Sequence, residues 1–195
     1  MKSSVPKDSR YLPIVQQKYC CVPASLSVIM YKHDIPLMPQ ELLGAYLGLT
    51  VPKKVKKLFW DVKTGKRPAA GYGTNIQSEK RVNEVCKKLG IPLQMTLRHI
   101  SKFDKKAFLQ YLKGVEETSK DVMVCFDHGV LRGDGNPGGH VCVIDRVNIK
   151  EREVRLIDPS PNRPKWRIVK IKKLFQAMQF HGTNKSAGFW EFILV

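Results

Sequence analysis

The feature that most constrains this chain is a change of hydrophobic period near its middle. The second half carries short runs rich in Val, Ile and Phe, bounded by Gly, Pro, Asn and Asp: DVMVCFD (121–127), HVCVIDRV (140–147), EVRLIDP (153–159) and GFWEFILV (188–195). Such runs read as strands. IPLQMTLRHI (91–100) reads the same way. Ahead of them the period is helical. Val22, Leu26, Ile29 and Met30 predict a helix from Cys21 to about Tyr31, with Pro23 in its first turn, where a missing N–H costs nothing. Two more helices are predicted over 38–48 and 78–90, the second capped by Ser78 and closed by Gly90. Two others fall at 104–115 and 171–179, between strands. Helices first and strands later, with little strand–helix–strand alternation, give an α+β layout around an antiparallel β-sheet.

At 195 residues with 43% hydrophobic side chains, the chain can bury one core of ordinary size. Residues 1–12 read as a flexible N-terminal arm, and 13–195 as a single domain with a helical part over 13–90 and a sheet part over 91–195. Residues 51–77 hold Pro52, Gly65, Pro68 and Gly71-Tyr72-Gly73 among lysines, and predict a surface excursion. No apolar run approaches the ~20 residues of a membrane span, and the N-terminus lacks the apolar middle of a secretory leader. The expectation is a cytoplasmic protein, or one exported by a leaderless route. The five cysteines are odd in number and form no C-x-x-C pair, which speaks against a zinc knuckle or a disulfide scaffold. Cys86, Cys125 and Cys142 read as buried small hydrophobes. The formal charge of +17 would attract an acidic or polyanionic partner. The basic clusters at 53–57, 63–67 and 165–173 show no nucleic-acid-binding signature, so most of this charge reads as solvated surface. Nothing in the sequence speaks to oligomeric state.

The chemistry concentrates at QQKYCCVPASLSVIM (16–30). A cysteine at a helix N-terminus meets unpaired backbone N–H groups and the positive end of the helix dipole, which favour the thiolate. Cys21 holds that position. Its own N–H could face an oxyanion, with the side-chain amide of Gln16 or Gln17 as a second donor. His140 follows two glycines at a strand entry, and Asp158 stands at the next strand's exit, before Pro159. With a turn near Lys150 the two strands form a hairpin, and His140 and Asp158 lie opposite or nearly so. An acid on one imidazole nitrogen leaves the other to take the thiol proton, so Cys21, His140 and Asp158 make a catalytic triad in that order. Each also has a structural explanation: a core cysteine, a strand-end histidine, a turn-starting aspartate. His128 and His181 are candidates by residue type alone. His33 and His99 read as surface positions, and Asp145 is set aside because strand parity turns it away from His140.

The stretches LPIVQQKYCCVPASLSVIM, GGHVCVIDRV and VRLIDPS resemble the papain-like peptidases that process bacteriocin leaders after a double glycine. Cys21-Val22-Pro23-Ala24 corresponds to the nucleophile motif, Gly139-His140 to the base and Asp158-Pro159 to the orienting acid. Val22 stands where that family has glycine, and Gln16, one position off the usual spacing, is preferred over Gln17 for the oxyanion. CFDHGVL, PKW and KLFQAM, with the same His and Asp motifs, resemble phytochelatin synthase, a papain-like transpeptidase. The resemblance implies a papain-like fold, with the Cys helix packed on an antiparallel sheet. It also implies a cysteine peptidase acting on a peptide or protein substrate, cleaving a peptide or isopeptide bond without cofactor or metal. The alternatives are γ-glutamyl or other acyl transfer, and a catalytically silent papain-like fold that binds an anionic partner.

Overall fold

Helix α1 (Cys21–Lys32) starts at the cysteine pair, and every residue from Val22 to Met30 is buried. A helix apolar on all sides belongs inside a protein, and α1 packs against both the sheet and the neighbouring helix. The computed structural model describes residues 6–135, 137–163 and 165–195. After α1 come α2 (Gln40–Leu47), β1 (Leu49–Thr50), β2 (Gly73–Thr74), α3 (Glu79–Leu89), β3 (Leu93–His99) and α4 (Lys105–Thr118). Next are β4 (Asp121–Asp127), α5 (His128–Arg132), β5 (Gly139–Asn148), β6 (Glu153–Ile157), β7 (Trp166–Lys170), α6 (Ile171–His181) and β8 (Gly188–Leu194).

Six strands form one antiparallel sheet in the order β3-β8-β4-β5-β6-β7. The chain is thus α+β, with the cysteine helix packed on an antiparallel sheet. One sheet face buries Leu26, Ile29, Leu43, Val85 and Trp190 beneath the first three helices. The other buries Phe108, Phe126, Leu174 and Phe189, largely against α4 and α6. Each such side chain contributes roughly 1.5–3 kcal/mol by leaving water.

The predicted helices and strands are all present, with local differences. Gly90 closes α3 in the left-handed region at φ 65°, as expected of a helix-ending glycine. Ser78 occupies the N-cap position, but its side chain makes no capping bond. Two elements were not anticipated. The short helix α5 is capped by Asp127, which accepts from the Val130 N–H at 2.9 Å. The edge strand β7 (WRIVK) lies within a run that reads as a basic cluster, with Val169 buried between exposed Ile168 and Lys170. Lysine and arginine are the usual guards of a sheet edge. Within the excursion, β1 and β2 pair antiparallel, and residues 70–76 lie beside the cysteine helix mouth.

The expected flexible arm is instead clamped over residues 6–12. Asp145 is fully buried and accepts from the Arg10 N–H at 2.7 Å, from Ser9 Oγ at 3.1 Å and from Arg155 Nε at 2.6 Å. Tyr11 is buried and donates to Asp121 at 2.6 Å, while Trp166 Nε1 donates to Ser9 Oγ at 2.7 Å. A bulge in β5 between Ile144 and Arg146 is what leaves Asp145 free of the regular ladder. His33 is likewise no plain surface residue: it is half-buried and paired with Asp121. His99 is half-buried too.

Asp145→Ala should destabilise the fold by about 1–3 kcal/mol, because the Arg10 N–H loses its acceptor and Arg155 keeps only Asp8. Urea denaturation measures it. A loss under about 0.5 kcal/mol would show that the clamp does not hold the arm.

Candidate active site

A cleft of about 980 Å³ opens at the N-terminus of α1, bounded by the start of β5, the loop after β6 and residues 70–76. Cys21 is the first residue of α1 and is partly exposed. The first N–H groups of a helix have no partner within it, so the Cys21 N–H points out of the helix end. Tyr19, at φ 66°, turns the chain sharply into the helix. Cys20 is fully buried. Burial, aided by the charges of Cys21 and Glu41, pushes its thiol up to about 12. Of the two glutamines, Gln16 lines the cleft, and its backbone N–H bonds the Pro159 carbonyl at 2.8 Å. Gln17 is exposed, and its N–H bonds Gln40 at 2.8 Å, away from the cleft.

His140 and Asp158 are in contact: His140 Nε2 donates to Asp158 Oδ1 at 2.8 Å. The register behind this contact differs from a simple hairpin. Val143 opposes Ile157 and Ile144 opposes Leu156. Continued along the strand, that register sets Asp158 across from Cys142, so the His140–Asp158 contact is diagonal, an ordinary reach for long side chains. Cys142, a residue with no role in the sequence reading, thereby joins the pair.

Burial favours the neutral ring of His140. The Cys142 thiol, the Asp158 hydrogen bond and the Cys21 thiol work the other way and hold it well above the usual histidine range. Burial likewise opposes the Asp158 charge, but the His140 bond and charge, the Ser160 N–H at 3.0 Å and Arg167 at 3.3 Å bring it down to about 2. Burial raises the Cys142 thiol to about 11.

The two glycines before His140 have a spatial reason. A Cβ at Gly138 would meet His128 Cε1 at 3.2 Å, and one at Gly139 would meet His181 Cε1 at 2.8 Å. Both rings therefore lie against the glycine backbone and line the cleft. His128 opens α5, and its ring centroid is 6.1 Å from that of His140. Its pKa is lowered by burial and by the nearby Arg132. His181, at the end of α6, is lowered by burial and by Lys185. The signal for α5 was in the sequence, in Asp127 before it and Gly133 after it. Asp145 lies apart from the cleft, clamped under the arm.

Among the described residues, His140, Cys142 and Asp158 have ligand atoms within 4.8 Å of one another, the only grouping of three with metal-ligand chemistry. Asp158 already accepts from His140, the Ser160 N–H and the Arg167 guanidinium. A cation there would have to displace a cation.

No protein-family profile matches the chain, and no curated protein matches it. Among solved structures, a crystal structure provisionally named a C39-like peptidase, from Bacillus anthracis, is similar over 94% of each chain, with 15% identity and a TM-score of 0.49.

Iodoacetamide near neutral pH should label Cys21 ahead of the other four cysteines, as mapped by mass spectrometry. The buried, high-pKa thiol of Cys20 reacting first would overturn the assignment. Gly139→Ala should force His181 aside, lowering stability by about 1–3 kcal/mol and slowing Cys21 alkylation. Thermal melts and labelling rates read both effects.

Proposed function

We propose that this protein is a papain-like cysteine peptidase acting through Cys21, His140 and Asp158. The observation that carries the reading is the bond from His140 Nε2 to Asp158. It commits one ring nitrogen to the acid and leaves the other for the cysteine at the mouth of α1. The raised pKa of His140 suits a base that must hold the proton it takes.

The mechanism follows from these positions. His140 takes the Cys21 proton, and the thiolate adds to the carbonyl carbon of a peptide or isopeptide bond. The oxygen that becomes an anion lies against the Cys21 N–H and the Gln16 side chain. The C–N bond breaks, and His140 gives its proton to the departing amine. Water, deprotonated by His140, then adds to the thioester and releases the acid and the Cys21 thiol. Asp158 keeps the ring oriented and balances its charge. The steps need no group beyond these side chains.

His140→Ala should abolish turnover of a peptide found by profiling a proteome-derived library. Asp158→Asn should lose up to about four powers of ten and still exceed it. The double variant should be no worse than His140→Ala, because both act through one imidazole. Circular dichroism controls for folding. A folded His140→Ala protein with wild-type turnover would end the triad reading and move attention to His128 and His181.

A further inference from the structure

The cationic side chains of this molecule fall into two groups. Around the clamped arm they are matched: Arg10 pairs with Glu116, Arg146 with Asp8 and Glu116, and Arg155 with Asp8 and Asp145. Around the cleft the matching is partial: Arg132 pairs with Asp134 and Arg167 with Asp158. Lys18, Arg163 and Lys185 line it from three separate segments, and none has an ion pair among the described residues. The cleft's two carboxylates, Asp127 and Asp158, leave the lining net positive. Asp127 is held by the N–H groups of Val130 at 2.9 Å and Gly138 at 2.8 Å. Asp158 is held by His140 and Arg167.

A concave site lined by one sign of charge focuses its field and concentrates ligands of the opposite sign. Two further atoms in the same cleft await a partner. His181 is more than nine-tenths buried, yet its Nδ1 has no hydrogen-bond partner, and neither has the buried amide oxygen of Gln16. A buried polar atom without a partner asks for an explanation: the Gln16 amide oxygen is an acceptor suited to an N–H donor such as that of a peptide backbone, and the His181 nitrogen donates or accepts according to its tautomer.

From the unpaired cations and the unpartnered atoms together, we infer that the cleft takes a peptide carrying Asp or Glu side chains near the bond that Cys21 attacks. This inference rests on the thiol chemistry proposed above. The peptide backbone satisfies Gln16 and His181, while its carboxylates meet Lys18, Lys185 and Arg163. A nucleic acid fits less well. The unpaired cations come from three separate segments, and a phosphate backbone has no N–H group to offer the Gln16 oxygen.

The test uses Cys21 as its own reporter. Alkylation by anionic iodoacetate and by neutral iodoacetamide is timed at Cys21 by mass spectrometry. A short cysteine peptide in the same buffer gives the reference ratio. At low ionic strength the iodoacetate-to-iodoacetamide ratio at Cys21 should exceed the reference by about tenfold, and it should fall toward it in about 0.5 M salt. Lys18→Glu and Lys185→Glu should each cut the ratio at least about twofold, while Lys106→Glu on the exposed side of α4 should leave it unchanged. A ratio equal to the reference, with Cys21 still reactive, overturns the inference and spares the thiol chemistry. A Cys21 inert to both reagents overturns both. Hexaglutamate should protect Cys21 from iodoacetamide, and hexalysine and a decauridylate should not. Protection by the decauridylate as good as that by hexaglutamate would show a general polyanion site and overturn the peptide assignment.

Discussion

The hydrogen bond from Ser25 Oγ to the Val141 carbonyl, at 3.2 Å, fixes how far α1 slides along β5. Ser25 lies one helical turn beyond Cys21, and Val141 is the residue after His140. One buried bond thus couples the axial position of the cysteine to that of the histidine. Burial holds it in place, since Val22 to Met30 are enclosed and a helix packed on all sides cannot shift without opening a void. The cleft exists because α1 ends at this point, with its N–H groups beside the strand end.

The parts of the fold that periodicity encodes were legible in the sequence. The cysteine helix and the sheet strands follow from residues close in the chain, and the His140–Asp158 contact from a turn that can be counted. What was hidden depends on partners far away. The arm over 6–12 is short and polar, and its order comes from Asp145 and Asp121, more than a hundred residues on. A turn centred at Lys150 already pairs Cys142 with Asp158; what the β5 bulge hides, with no local marker, is the one-residue shift that takes Asp145 out of the ladder. Strand β7 was masked by the charges that protect a sheet edge. His128 and His181 were visible only as residue types, because what brings them to the cleft is the contact of their rings with Gly138 and Gly139.

The His140–Asp158 pair also ties the site to the stability of the fold, with opposite signs at the two ends of the pH scale. Asp158, down at about 2 against an unfolded value of ~3.9, contributes stability above the unfolded value that is lost as pH falls through the folded one. His140, raised above the unfolded ~6.5, contributes stability below that value that is lost as pH rises through its folded pKa. Both contributions are present together in weakly acidic solution. The contact that orients the His140 ring therefore also anchors the loop after β6 across the same range.

The rest of the site works against the fold. Gly138 and Gly139 give up side chains so that two histidines can lie on the backbone. His181 Nδ1 and the Gln16 amide oxygen are buried without hydrogen-bond partners, and an unmet buried polar atom costs about 1–3 kcal/mol. Tyr19 turns through the left-handed region, a conformation uncommon for a residue with a side chain. Local choices that disagree with stability in this way gather where a protein meets something else. Here they surround one partly exposed thiol at a helix mouth, within a cleft whose lysines have no ion-pair partner among the described residues.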